Sequence, residues 1–299
     1  MAVQQGKRVD IIGIQMDLGA SRRGVNMGPS AIRYSGIMEK MEQLGVSPRD
    51  RGDIIPAIPQ GDGDPAMRHA CEINEANGRL CDTVRDSLRG GAMPVVLGGD
   101  HCVAAGSIPA VAEELGDIGV IWIDAHGDFN NEQSSPSGNM HGMPLSAVCG
   151  CGPEAMLPFS KARVRPCHVA QVGARDIDAA ERERLRQNGV SVFSISDIDK
   201  LGMAEVMRRA IEVAGKDTNG IHLSFDVDAI TPEAAPGVGT PVHSGLTVRE
   251  AFLAAEMLAE CGRVVSLDMV EVNPMLDAFN KTGNLACELI LSVLGKTVY

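Results

Sequence analysis

Short apolar runs rich in β-branched residues alternate with longer amphipathic stretches from one end of the chain to the other. The runs cover residues 9–14, 94–97, 119–123, 168–172, 190–195, 221–225 and 264–267, and a weaker one near 50–55 brings the set to about eight. They are continuously apolar, the pattern of strands covered on both faces. Residues 30–44, 66–88, 104–114, 179–187, 203–214, 247–260 and 284–294 instead carry apolar residues at helical spacing. Pro29 suits a first turn, and Gly189 and Gly262 fall where helices should stop. Such alternation predicts an α/β fold: about eight parallel strands in one sheet, with helices on both faces. No linker, repeat or low-complexity tract interrupts it, so residues 1–299 read as a single domain.

Two long polar segments break the rhythm. Residues 130–143 follow the run 119–123, and residues 230–245 follow the run 221–225 and carry Pro232, Pro236 and Pro241. Long loops in a compact domain usually carry function. The polar clusters also fall just after apolar runs. They are Gly98-Gly99-Asp100-His101, Asp124-Ala125-His126-Gly127-Asp128, Asp226-Val227-Asp228 and Glu271-Val272-Asn273-Pro274. Open α/β sheets bind ligands at the carboxyl ends of their strands, so these segments should converge on one crevice.

Asp124, His126 and Asp128 alternate, as do Asp226 and Asp228. In extended chain, alternate side chains project to one side. Four carboxylates gathered without a cation would repel, and some would have to take up protons. Two divalent ions balance the four charges, and a shared hydroxide leaves the cluster slightly negative, which with Glu271 favours a cationic substrate. A donor set of carboxylate and imidazole without thiolate argues against structural zinc and suits Mn²⁺. Each piece alone has a plainer use: a DxD pair can solvate a loop, Asp100 after two glycines suits a turn, and a lone His101 suits a structural role. The conjunction of four such motifs carries the metal reading. His168, His222 and His243 lack acidic neighbours in register and read as structural.

Composition narrows the remaining classes. Hydrophobic residues at 44% and charged residues at 22% describe an ordinary globular chain and exclude disorder. Lys and Arg number 27 against 39 Asp and Glu, a net charge of −12, and aromatics are 3%. That balance repels phosphate backbones and offers few stacking rings, so nucleic acid is not an expected partner. No apolar run approaches the roughly 20 residues that span a bilayer, so no membrane partner is expected. The first residues show no long apolar region or cleavage site, and the 8 cysteines contain no CxxC pair. Both features read as a cytoplasmic protein with reduced thiols.

At these residues the chain resembles the ureohydrolase family, and within it the arginases. The resemblance runs over essentially the whole chain. It begins at Met16-Asp17-Leu18-Gly19, Arg23-Gly24 and Gly28-Pro29-Ser30-Ala31-Ile32-Arg33. It continues through the four clusters above, Ser137-Gly138-Asn139-Met140-His141-Gly142-Met143-Pro144, Gly239-Thr240-Pro241 and Gly245-Leu246-Thr247. It implies a three-layer fold and a hydrolase with two Mn²⁺ per subunit, which cleaves L-arginine to L-ornithine and urea by a metal-bridging hydroxide. His101, Asp124, Asp128 and Asp226 would hold one ion and Asp124, His126, Asp226 and Asp228 the other, with Asp124 and Asp226 bridging. His141 would transfer the proton, and Glu271 would pair with the guanidinium beside Thr240. Asn130, Ser137 and Asn139 would take the α-carboxylate, and Asp178, assisted by Glu181, the α-amino group. The resemblance further implies a homotrimer or homohexamer, with Arg249 clamped between Asp199 and Glu256 at the subunit contact. Agmatinase or guanidinobutyrase is the nearest rival, and Ser137-Gly138-Asn139 favours arginase over both. An inactive oligomeric binding protein on the same fold is the rival of another class. Ile230-Thr231-Pro232 replaces a frequent Leu-Asp-Pro, and Cys102 stands where Ser is frequent, a thiol that could confer oxidant sensitivity.

Overall fold

The computed structural model describes residues 6–61 and 63–297. Residues 1–5, where no leader is read from the sequence, lie outside the described residues. Eight strands form one sheet in the order β2-β1-β5-β10-β9-β6-β7-β8, and every pairing in it is parallel. They are β1 (Arg8–Ile14), β2 (Ser47–Ile54), β5 (Met93–Leu97), β6 (Gly119–Ile123), β7 (Val169–Ala174), β8 (Ser191–Ser194), β9 (Ile221–Asp226) and β10 (Val264–Val270). The two-residue strands β3 (Gly63–Asp64) and β4 (Met67–Arg68) form a small antiparallel ladder apart from the sheet.

The central strands β5, β6, β9 and β10 are buried along nearly their whole length because helices cover both faces; β5 and β6 are apolar throughout, whereas β9 carries His222, Ser224 and Asp226 and β10 carries Ser266 and Asp268. On one face pack α1 (Gly28–Tyr34), α2 (Ile37–Gln43), α7 (Ile195–Leu201), α8 (Met203–Gly215), α9 (Val248–Cys261) and α10 (Lys281–Val293). On the other lie α3 (Ala70–Arg89), α4 (Ala104–Leu115), α5 (Pro144–Val148) and α6 (Ala179–Asn188). Leu97, Ile123, Phe225 and Met269 fill the first core, and Val96, Val120, Trp122 and Val270 the second.

Three local expectations change. The helix expected over 30–44 is two helices, because Gly36 turns the chain through a left-handed φ of 76° between them. The strand expected over 190–195 ends at Ser194. There the start of α7 is capped: the Asp197 carboxylate accepts the Ser194 backbone N–H at 2.9 Å and the Ser194 hydroxyl at 2.6 Å. The weak run near 50–55 is a longer, mostly exposed edge strand that begins at Ser47.

β9 and β10 enter the sheet late in the sequence and fill the space between β5 and β6. This crossover gathers the carboxyl ends of four central strands, and the four polar clusters leave from those ends.

Candidate metal centre and pocket

His101 opens the turn after β5, with Asp100 capping that turn by accepting Cys102 N–H. Its Nε2 lies 2.8 Å from Ser224 Oγ on β9. The imidazole is stacked on Trp122 of β6, with centroids 3.9 Å apart and planes 10° from parallel. Those contacts aim Nδ1 at three carboxylate oxygens: Asp124 at 3.1 Å, Asp128 at 3.2 Å and Asp226 at 3.2 Å. His101 is 1% exposed, and Nδ1 makes no hydrogen bond to any of the three. A buried lone pair ringed by three oxygens at nearly equal distance fits a cation at their centre better than a proton directed to one of them.

A second group shares Asp124. His126 Nδ1 lies 3.1 Å from Asp228 Oδ2 and 3.4 Å from Asp124 Oδ1. The donor atoms of His101, Asp124 and Asp128, and those of Asp124, His126 and Asp228, each lie within 4.8 Å of one another. Both groups fit a divalent ion. Local hydrogen bonds fix the carboxylates: Asp124 accepts from Trp122 Nε1 at 2.9 Å and from His126 N–H, Asp226 from Asp228 N–H, and Asp228 from Thr240 Oγ1 at 3.0 Å. Asp128 holds its place through a left-handed φ of 49°, which re-aims the chain after His126.

The electrostatics follow from crowding. Burial, with the Asp124 charge beside it, pushes the Asp128 carboxyl up to about 6. Burial raises Asp226 and Asp228 too. Asp124 goes the other way, because its contacts to His101 and His126 outweigh burial. Both imidazoles are held above the ordinary histidine range by these carboxylates, against the effect of burial.

Beside the cluster, His141 Nδ1 lies 3.3 Å from Glu271 Oε1, which also accepts His101 N–H at 3.1 Å. Burial alone would lower His141, but the Glu271 carboxylate lifts it to about 9. Glu271 is 1% exposed, has a φ of 64°, and its Oε2 has no hydrogen-bond partner.

A pocket opens over both groups, lined by His126, Asp128, His141, Thr240 and all five residues expected at the amino-acid end, Asn130, Ser137, Asn139, Asp178 and Glu181. Glu181 sits deeper than the others: it is 3% exposed, accepts Phe129 N–H at 2.8 Å, and is pushed up to about 8, mainly by burial. Asn139 and Ser21 are joined by hydrogen bonds of 2.8 and 3.1 Å. Sequence reasoning missed Ser21 and Asp176, which line the site, and Trp122, which stacks on His101. Cys102 is fully buried and its thiol is pushed well up, chiefly by burial, so it is poorly suited to oxidant chemistry. Asp199 and Arg249 are exposed and do not line the pocket, and Arg249 pairs with Glu256 along one face of α9.

The arginase family model matches residues 7–295. The chain belongs to the arginase family. It is 46% identical over 292 residues to an arginase of Brevibacillus brevis, which covers 97% of this chain and 98% of that protein. The arginase of Bacillus caldovelox superposes with a TM-score of 0.94 at 44% identity, over 98% of this chain and 100% of that one. An Entamoeba histolytica arginase, solved in complex with L-ornithine, superposes with a TM-score of 0.89 at 32% identity, over 98% and 100% of the two chains. This arginase-family chain is therefore a hydrolase, and its two donor groups answer to the two-metal character of the family.

Proposed function

We propose that the chain hydrolyses the guanidinium group of L-arginine to give L-ornithine and urea, with two Mn²⁺ bound per chain. The pair of donor groups that share Asp124, set beside the His141–Glu271 contact, carries this reading. His101, Asp124, Asp128 and Asp226 would hold one ion, and Asp124, His126, Asp226 and Asp228 would hold the other. The oxygen-rich donor set with two imidazoles favours manganese. When bound, such a pair of ions lowers the pKa of a water and so supplies a nucleophile near neutral pH.

The chain's own groups do the rest. Glu271 offers its unpartnered Oε2 to a guanidinium N–H and so turns the reacting carbon toward the donor groups, a positioning effect. Thr240 borders that end. Asn130, Ser137 and Asn139 donate to the α-carboxylate, and Asp178 accepts from the α-ammonium. Glu181 assists by holding the backbone at Phe129. His141 keeps its proton at neutral pH and gives it to the departing amine. The L-ornithine bound to the Entamoeba histolytica relative supports this substrate class.

The same reading includes a homotrimer or homohexamer with Asp199, Arg249 and Glu256 at the contact, working in the cytoplasm with its thiols reduced. The test is urea release from L-arginine by the full-length chain with Mn²⁺ and after chelation. Urea formed only with the metal supports the reading; arginine binding without urea under either condition overturns it.

A further inference from the structure

Arg175 follows β7 at its carboxyl end, and all five N–H bonds of its guanidinium go to backbone carbonyls. Nε donates to His243 O at 3.1 Å. Nη1 donates to Gly173 O at 3.4 Å and Ala229 O at 3.0 Å, and Nη2 to Asp228 O and Val242 O, both at 2.7 Å. Its own backbone N–H donates to Ala125 O at 2.8 Å. One residue thus ties together three segments that are remote in sequence: the strand end between Asp124 and His126, the turn at Asp228, and the loop just after Thr240. Gly245 permits the approach, since a Cβ there would lie 2.6 Å from Nη2 and 2.6 Å from Ala229 O.

We propose that Arg175 is the positioning residue for the His126–Asp228 half of the metal centre, acting through backbone geometry rather than charge. The inference rests on the two-metal reading above. A guanidinium offers five donors in a fixed planar fork, and an ammonium has three without that plane, so lysine cannot reproduce the lattice. Charge gives the opposite expectation. A fixed positive charge close behind Asp228 opposes the binding of a cation, so Arg175 would weaken the second ion if its charge were its role. What it supplies is the relative placement of Asp228, His126 and Thr240, three groups whose side chains meet within hydrogen-bonding distance. The His101 group draws on β5 and Trp122 and has no hydrogen bond to Arg175.

The experiment uses the full-length chain loaded with Mn²⁺ and challenged with graded EDTA, with metal content, kcat and KM read for wild type, Arg175→Lys and Arg175→Gln. The wild type should hold two ions. Both variants should keep one ion with near wild-type affinity and hold the second about 10–100-fold more weakly. At saturating Mn²⁺, kcat should still fall about 10²-fold. Two tightly held ions with wild-type kcat in the lysine variant would overturn the proposal, as would tighter binding of the second ion in the glutamine variant. A wild type that holds fewer than two ions removes the two-metal reading and the proposal with it. A wild type that holds two alongside an unaffected variant removes the proposal alone. Should neither variant fold, hydrogen exchange on the wild-type holoenzyme decides. The amides of Thr231 and Leu246, which bond to Leu246 O and Ala229 O, should open together in one slow event. Fast exchange of Leu246 with Thr231 still protected would overturn the clamp.

Discussion

Trp122 lies flat against the His101 imidazole, 3.9 Å between centroids, and donates its indole N–H to Asp124 Oδ2 at 2.9 Å. The chain's one tryptophan therefore touches a donor of the first group and the carboxylate common to both. Each contact fixes a donor that would otherwise rotate.

Removing metal with EDTA should change the intrinsic tryptophan emission, and returning Mn²⁺ should reverse the change. Trp122→Phe keeps the stack and deletes the hydrogen bond, so Mn²⁺ affinity should fall by about 10–100-fold. An emission that ignores chelation would separate Trp122 from the metal centre.

His141 should leave a signature in the pH profile. Its pKa is raised to about 9 by Glu271, so the proton it is proposed to donate is present below that value and is lost as pH climbs through it. kcat should rise out of the acid range and fall again above about pH 9, and His141→Asn should remove the alkaline fall while lowering kcat by about 10²–10⁴-fold. A rate maximum below pH 6 would contradict the assignment of an activated water as nucleophile.

Legibility differed by the range of the interactions involved. Central strands such as β6 were readable because burial on both faces leaves an unbroken apolar run, Gly119–Ile123. β2 was only half readable. Its Arg49, Asp50, Arg51 and Asp53 face solvent or pair with charges, so no apolar pattern marks it. The Ser194–Asp197 cap is a local signal masked by the apolar residues that precede it. The residues of the two donor groups were readable because their side chains lie in short motifs. Trp122 and Arg175 were not: one acts by a stack across the sheet, the other through carbonyls that any residue possesses.

The edge of the sheet carries a stability prediction. Asp10 on β1 is 2% exposed and accepts from Arg49 at 2.6 and 3.0 Å, Arg51 at 3.1 Å and Ser87 at 2.7 Å. Burial opposes ionisation, but these partners prevail and hold its carboxyl below the ordinary 3.8. A depressed value stabilises the fold above the ordinary pKa, and the gain is lost as pH falls through the lowered one. Asp10→Ala should cost about 1–3 kcal/mol at pH 7, and the gap to wild type should close below about pH 4. Urea unfolding at pH 7 and at pH 3 measures both; an equal gap at the two values would show that the carboxylate charge is not responsible.

Arg249 provides the test of assembly. In the single chain it pairs with Glu256 seven residues along α9, and Arg249 itself is exposed, a pairing worth little in water. If the same arginine is clamped against Asp199 in the oligomer, Arg249→Ala should leave monomer stability nearly unchanged and shift sedimentation toward smaller species, because one partner of a covered ion pair is lost. An oligomer of unchanged size would remove these three residues from the contact.

The proposed contacts to the amino-acid end of the substrate lie at the other end of the pocket. L-Arginine carries an α-carboxylate and agmatine, its decarboxylated form, does not. Asn130 is buried, with its side-chain oxygen taken by Ser134 Oγ at 2.8 Å, which turns its amide N–H₂ toward other acceptors. Asn139 is oriented by Ser21, and Ser137 lies at the pocket rim on the same loop as His141. Agmatine would leave these donors without their anion and would lose part of the placement of its guanidinium. Sites that hydrogen-bond a substrate group reject analogues lacking it by up to about 10⁴–10⁵; Ser137 and Asn139 are partly open to water, so the preference should be on the order of 10³ in kcat/KM. Asn139→Asp puts a carboxylate against that of arginine and spares agmatine, so the ratio should collapse mainly through loss of arginine turnover. Ser21→Ala frees the Asn139 amide and should erode the ratio less. The measurement is kcat/KM for both substrates in wild type and the two variants. Near-equal wild-type values would transfer the assignment to agmatine-type substrates and leave the metal chemistry standing.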